Sequence, residues 1–250
     1  MALLATDAIV LHSFDYLESS RILRLVTRDG GVRSALAKGA RRSSRRFGSA
    51  VDLFAQGNAQ LHAKPGRDLD TLSAFDVVLA RPMLAADLGR FTGASAIAEL
   101  TLRFGRDAAD AGLFDAVADS LDALALAAPE ATLTATLASA WRIVAELGFA
   151  PAVDVCGECH APLEPDATVM FSHRAGGALC ARCGRLAPAG RKLPPDARDA
   201  LRRFLTGTAG EPLDDAATRA HQRLLREFLA EHLTDGRPLR AMALWEEQRW

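Results

Sequence analysis

The sequence predicts an α+β chain: a small β barrel over residues 1–80, then a helical domain over 81–250, with a cysteine-bearing segment inserted at about 151–190. Three observations carry that expectation. Short runs of branched residues broken by turn chemistry fill the first eighty positions, apolar residues at helical spacing dominate the remainder, and all four cysteines fall between 156 and 183. The composition is globular, with 49% hydrophobic residues, 24% charged residues and a net charge of −1 over 250 residues.

The strands come first. Ala8 to His12, Arg21 to Thr27 and Val32 to Ala37 are short and rich in branched side chains, with the turn sequence Arg28-Asp-Gly-Gly31 between the second and third. Val51 to Ala63 and Leu69 to Leu79 follow, joined by Lys64-Pro-Gly-Arg67, a hairpin signature. Five short strands in eighty residues suit a small barrel, with Phe14, Phe54 and Phe75 expected in strands.

After Arg81-Pro82 the period changes, because proline is tolerated in a first helical turn. Helices are expected near 83–104, 112–127 and 131–147; in the last, Leu133, Leu137, Trp141, Val144 and Leu147 share one face and Gly148 suits its C-terminus. Beyond the cysteines, Pro194-Pro195 opens a helix near 196–206, and Asp214-Asp215 begins a longer one carrying Leu224, Leu225, Phe228 and Leu233.

The cysteines form two knuckles, Cys156-Gly-Glu-Cys159 and Cys180-Ala-Arg-Cys183, spaced so that four thiolates can close a tetrahedron around one zinc ion. Ordinary thiols or two disulfides are the bland alternative, but a secreted framework would spread its cysteines through a small domain. A catalytic zinc with Glu158 as proton shuttle echoes the nucleobase deaminases, yet Leu179 rather than proline precedes the second pair and Cys159 would fill the open position. His160 and His173 are expected to be solvated loop residues. Only Val169 to Phe171 reads as strand in this segment, so the ion would supply much of the local folding free energy. No basic n-region precedes the first apolar residues, and Ala111 to Ala128 is broken by Asp115, Asp119 and Asp122. A soluble, cytoplasmic, reduced protein is the expectation.

Charge is uneven. Residues 21 to 50 carry nine basic side chains against one acid, Asp29, a balance of +8 that points to a polyanion. The densest part is Lys38-Gly-Ala-Arg41-Arg42-Ser-Ser-Arg45-Arg46-Phe47, between the third and fourth strands. Arginine forks bind phosphate oxygens bidentately, and an aromatic can stack on a base. If Lys38, Arg41, Arg42, Arg45 and Arg46 all engaged single-stranded DNA, the log-log salt slope would be roughly −3 to −4. The alternative is a solvated loop or a patch that meets an acidic protein. Phe47 can instead join the core, and Tyr16 can be a stacking platform or a rim residue.

With these residues in view, the chain resembles the RecO family of bacterial recombination mediators. The resemblance lies in Ala35-Leu-Ala-Lys-Gly-Ala-Arg-Arg42, Asp7-Ala-Ile-Val-Leu11, Ser20-Arg-Ile-Leu23, the approach Leu147-Gly-Phe-Ala-Pro151 and the cysteine pairs. It covers essentially the whole chain, in order. It implies an N-terminal OB-fold, a helical C-terminal domain and an inserted four-cysteine site holding one structural Zn2+. It further implies binding to single- and double-stranded DNA, annealing of complementary strands, and loading of the RecA recombinase onto DNA covered by single-strand-binding protein, with RecR as partner and the RecA filament engaged indirectly. Nucleoid association in the cytoplasm follows, and no catalytic residue is implied.

Two other readings compete: a zinc-dependent nucleobase or nucleotide hydrolase, and an adaptor whose basic loop docks on protein only. No phosphate loop, nucleophile elbow or His-Glu-x-x-His motif is present. The helix near 216–233, with Arg219, Arg223 and Arg226 beside Leu225 and Leu229, can accept an amphipathic acidic peptide in a groove, or can simply be wet on that side.

Overall fold

A computed structural model describes residues 2–40, 52–63, 68–187, 189–233 and 237–247. Five strands close into a barrel in the order β1-β2-β3-β5-β4: β1 Ala2–Tyr16, β2 Ser20–Thr27, β3 Gly31–Ala37, β4 Gln56–Ala63 and β5 Leu69–Leu79. β1 is longer than its expected core because it serves two neighbours. Ala2 to Ile9 pair with β4 and Ala8 to Tyr16 with β2, with a register shift between Val10 and His12 inside the β2 pairing. β4 begins at Gln56 rather than at residue 51. Closure comes from a parallel pairing of β3 with β5, while β4 and β5 run antiparallel on either side of residues 64–67, which lie outside the described residues.

Alternation turns Val10, Leu23, Leu25, Leu61, Leu72 and Phe75 into the barrel, with Ala35, Ala37 and Ala59 between them. Small residues facing large ones let the strands close without a void. Phe54 is buried too, but from a turn at φ +67 rather than from a strand. Phe14 sits in β1 as expected and points outward, 43% exposed.

The helices are α1 Pro82–Ala86, α2 Leu88–Phe104, α3 Ala111–Leu126, α4 Thr132–Val144, α5 Ala181–Gly184, α6 Pro195–Leu205, α7 Asp215–His232 and α8 Arg240–Glu247. The single helix expected over 83–104 is split, because Asp87 is extended (φ −131°, ψ 130°) and its carboxylate accepts the Arg90 N–H at 2.9 Å. An aspartate at that position stabilises a new start better than it continues an old helix. Gly148 ends the turn after α4 at φ +88°, as its place in the sequence suggests. α8, not anticipated, buries Met242 and Trp245.

The chain divides into two compact units, Met1–Leu126 and Ala127–Trp250. In the first, the buried Arg81 guanidinium donates to the Phe54 carbonyl (3.0 Å), Gln56 Oε1 (2.8 Å) and the Asp122 carboxylate (2.6 Å), tying the start of β4 to α3. In the second, Trp141 of α4 packs on Phe228 of α7 at 5.3 Å between ring centroids, and Phe204 of α6 meets His221 of α7 at 5.3 Å. No helix among the described residues is long and apolar enough to cross a membrane.

His221 is 2% exposed, and neither ring nitrogen has a hydrogen-bond partner among the described residues. Burial, with the nearby Arg203 charge, pulls its pKa down to about 4. A histidine buried neutral binds its proton more readily in the unfolded chain, so its contribution is intact above about pH 6.5 and is lost as pH falls towards 4. Between pH 7 and 5 the second unit should lose on the order of 2 kcal/mol through this group. Urea midpoints of the wild type and His221→Phe at both pH values check this: the loss should shrink in the variant, and an equal loss in both would remove His221 as its source.

Candidate metal centre and nucleic-acid interface

The inserted segment is a three-stranded sheet in the order β7-β6-β8, formed by β6 Val169–Ser172, β7 Gly177–Leu179 and β8 Arg191–Leu193. Only β6 was legible in the sequence. The first knuckle is a tight turn in which the Cys156 carbonyl accepts the His160 N–H and the Cys156 N–H donates to the Ala161 carbonyl, both at 2.8 Å. The second starts where β7 ends: Cys180 caps α5, Cys183 lies within it, and the Gly184 N–H donates to the Cys180 carbonyl at 2.8 Å.

What brings the knuckles together is a close backbone approach. Ala152 bridges Gly177, donating to the Gly176 carbonyl (2.9 Å) and accepting from the Ala178 N–H (2.8 Å). Gly177 adopts φ +155°, and a Cβ there would lie 2.3 Å from the Ala152 carbonyl oxygen. Only glycine fits. Gly177→Ala should separate the knuckles, lower metal content and destabilise the segment by about 2 kcal/mol or more. Metal analysis with a denaturation curve tests this, and full metal content at wild-type stability would contradict it.

The four Sγ atoms of Cys156, Cys159, Cys180 and Cys183 lie within 4.8 Å of one another, with Cys159 and Cys180 at 3.8 Å. A tetrahedron with metal–sulfur bonds of about 2.3 Å has edges of about 3.8 Å, so the cluster has the size for a four-sulfur ion site. All four are free thiols, the state that both a metal site and ordinary thiols require. Burial opposes charge on Cys156, but backbone N–H groups at Cys159, Cys180 and Glu158 outweigh it and bring this thiol down to about 6. Cys183 is pushed up to about 12, first by burial and then by its three sulfur neighbours. Four negative sulfurs this close cannot all ionise unaided, and a cation resolves the conflict.

The segment is anchored by contacts that the sequence did not reveal. Buried Phe171 packs 6.2 Å from Phe228, and the buried Arg198 of α6 donates to the carbonyls of Glu164 (2.8 Å) and Pro165. Arg202 pairs with Asp154 at 2.7 Å. Glu227 of α7 accepts both forks of Arg191, which holds its carboxyl below the usual carboxylate range, and lies 3.0 Å from His173 Nε2. The expectation for His173 is therefore corrected: it is largely buried, its carbonyl accepts from His232 Nε2 at 2.6 Å, and its ring packs on Phe171. His160 is exposed, as expected. Most of these anchors lie on helices, and each finds its partner at a distance in the chain that no local period reports.

The basic region divides sharply. Arg21 pairs with Asp15 (3.2 Å), Arg28 with Asp115 and Asp7, Arg33 with the buried Asp70 (3.8 Å), and Arg24 donates to the Leu102 carbonyl (2.9 Å). These four cations serve the fold. Lys38 is exposed just after β3, whereas Arg41, Arg42, Arg45, Arg46 and Phe47 lie outside the described residues. On α7, Arg219 faces Asp215 at 3.8 Å and Arg226 pairs with Glu246 of α8 at 2.8 Å.

Comparison with known proteins matches residues 1–81 to a family model described as recombination protein O N terminal, and residues 85–241 to one described as recombination protein O C terminal. Similar proteins include the DNA repair protein RecO of Anaeromyxobacter sp. strain K, 37% identical over 96% of this chain and 94% of that protein. Those of Geobacter metallireducens (33%, over 97% and 96%) and Rubrobacter xylanophilus (31%, over 93% and 92%) are similar over comparable spans.

Proposed function

Because this chain belongs to the RecO family, we propose that it is a DNA-binding recombination mediator acting in recombinational repair. The match over both halves of the chain is the observation that carries the reading. In this reading residues 1–80 grip nucleic acid, and residues 81–250, with the insertion at about 151–190, bind partners. Two DNA strands repel through their phosphates. A protein that neutralises both while leaving bases free lowers the barrier to pairing without altering a covalent bond. Lys38, Arg41, Arg42, Arg45 and Arg46 supply the charge, with Phe47 beside them.

One zinc ion on Cys156, Cys159, Cys180 and Cys183 serves a structural role, bracing the insertion. A hydrolytic zinc needs an open position, which a fourth thiolate takes, so the protein is not an enzyme in this reading. RecR and the acidic tail of single-strand-binding protein are the proposed protein partners, and RecA is reached through them on nucleoid DNA. The test is annealing of complementary oligonucleotides coated with single-strand-binding protein, followed by RecA filament formation with RecR added. Faster annealing and filament growth are expected; no effect on either would end the proposal.

A further inference from the structure

The thiols of the four-cysteine cluster differ in their access to solvent. Cys156 is buried, whereas Cys159, Cys180 and Cys183 are partly exposed. A cleft of about 510 Å3, lined by Glu158, Arg174 and Leu186 among others, reaches Cys183, and one of about 380 Å3, lined by Pro162, Thr168 and Arg185 among others, reaches Cys180. Across the two knuckles, Cys159 Sγ lies 3.8 Å from Cys180 Sγ. A disulfide needs about 2.05 Å, so these two sulfurs have to approach by about 2 Å. The backbone holds the knuckles together without help from the sulfurs: the Gly157 N–H donates to the Ala178 carbonyl at 2.8 Å, beside the bridge between Ala152 and Gly177. Two accessible sulfurs are therefore neighbours whether or not a metal ion joins them. No other cysteine occurs in the chain, and none of the four lies in the barrel.

From this arrangement we propose that Cys159 and Cys180 form a reversible oxidation site for hydroperoxides, which rests on the structural-metal reading above and adds to it a way of releasing the ion. The smaller cleft gives a peroxide access to Cys180. The Cys180 thiolate attacks the peroxide and the O–O bond breaks; the sulfur is oxidised to a sulfenic acid, and the departing oxygen takes up a proton and leaves as water. The Cys159 thiolate then attacks that sulfur, the S–S bond forms, the S–O bond breaks, and a second proton carries the oxygen off as water. In sum, two thiolates, one peroxide and two protons become one disulfide and two waters. Cys156 and Cys183 are left, one from each knuckle, and two thiolates do not complete the four-ligand shell of a structural ion. The metal's share of the local folding free energy is then withdrawn from β6, β7 and β8, while the barrel strands are unaffected. Because the new bond crosses between knuckles, it preserves their close approach, so a thiol reductant and fresh metal restore the site.

Full-length, zinc-loaded protein would be treated with hydrogen peroxide, released zinc read with a chromogenic chelator, free thiols counted, and tryptic peptides mapped by mass spectrometry. Trypsin cuts after Arg174 and Arg182, which parts Cys180 from both Cys159 and Cys183, and fragmentation separates Cys159 from Cys156. The expected results are one zinc released per peroxide consumed, half of the thiols remaining, a disulfide between Cys159 and Cys180, and recovery of metal binding with dithiothreitol and zinc. Cys159→His keeps a metal-binding side chain but no sulfur, so it should release zinc about tenfold more slowly. Should that variant fail to fold, the wild-type peptide map decides alone. Zinc retained under excess peroxide, a disulfide between any other pair, or oxidation that thiols do not reverse would overturn the site while leaving the structural ion in place. Reduced protein that bound no zinc would overturn both.

Discussion

Replacing Cys156 and Cys180 together by serine is expected to abolish metal binding and to destabilise the second compact unit by several kcal/mol. Each change removes one corner from a different knuckle, so two sulfurs remain where four sit within 4.8 Å. Among its described residues the insertion has three strands of four residues or fewer, too little apolar surface to organise itself. Apparent binding free energies of structural zinc in small peptides are about 10–16 kcal/mol. The loss here should be smaller, because Phe171, Arg198 and the Arg191–Glu227 pair still anchor the segment. Metal content, hydrogen exchange across 151–193 and a denaturation curve measure it, with oligonucleotide affinity followed on the same samples. Affinity should change less than about twofold, since the barrel carries no cysteine. Loss of oligonucleotide binding at full stability would instead place the cysteines in the nucleic-acid site.

Changing Arg41, Arg42, Arg45 and Arg46 to alanine is expected to weaken single-strand binding by roughly two to three orders of magnitude at 0.1 M salt. The log-log salt slope should flatten from about −3 to −4 to nearer −1, the contribution of Lys38 alone. Thermal stability should hold. The contrast with neighbouring arginines is what makes the prediction specific. Arg21, Arg28 and Arg33 are matched to Asp15, Asp115 and Asp70, so removing one of them should reduce stability more than it alters the salt slope. Unchanged affinity in the quadruple variant would remove this segment from the binding site.

The barrel was legible because strand alternation and turn chemistry are local. Val10, Leu23, Leu25 and Leu61 alternate with outward-facing neighbours, and Arg28-Asp-Gly-Gly31 punctuates the chain where β2 turns into β3. The cysteine cluster was legible for the same reason, as two spacings and one interval. What escaped the sequence reading depends on partners distant in the chain. Charge counting over 21–50 could not show that four of nine cations are consumed by Asp15, Asp115, Asp7, Asp70 and the Leu102 carbonyl. Nor could it show that His173 is drawn inward by Glu227, fifty-four positions away. β7 and β8 are three residues long, shorter than any periodic signal, and exist because β6 offers both edges for pairing. Asp87 misled in the opposite direction: helical spacing continues through it, and only its capping bond to Arg90 reveals the break.

The closure of the barrel also sets how freely its basic connection can vary. β3 pairs with β2 and β5, and β4 with β1 and β5, so residues 38–55 join two strands that are not neighbours in the sheet. No hairpin register depends on that stretch, and lengthening it twofold should cost only about 0.6 kcal/mol of chain entropy. It is therefore the natural cassette for engineering: sequences of other length, charge or aromatic content can be grafted between Ala40 and Asp52 to retune ligand preference, provided that the buried Phe54 and Ala55 keep their bonds to Val10 and Arg81.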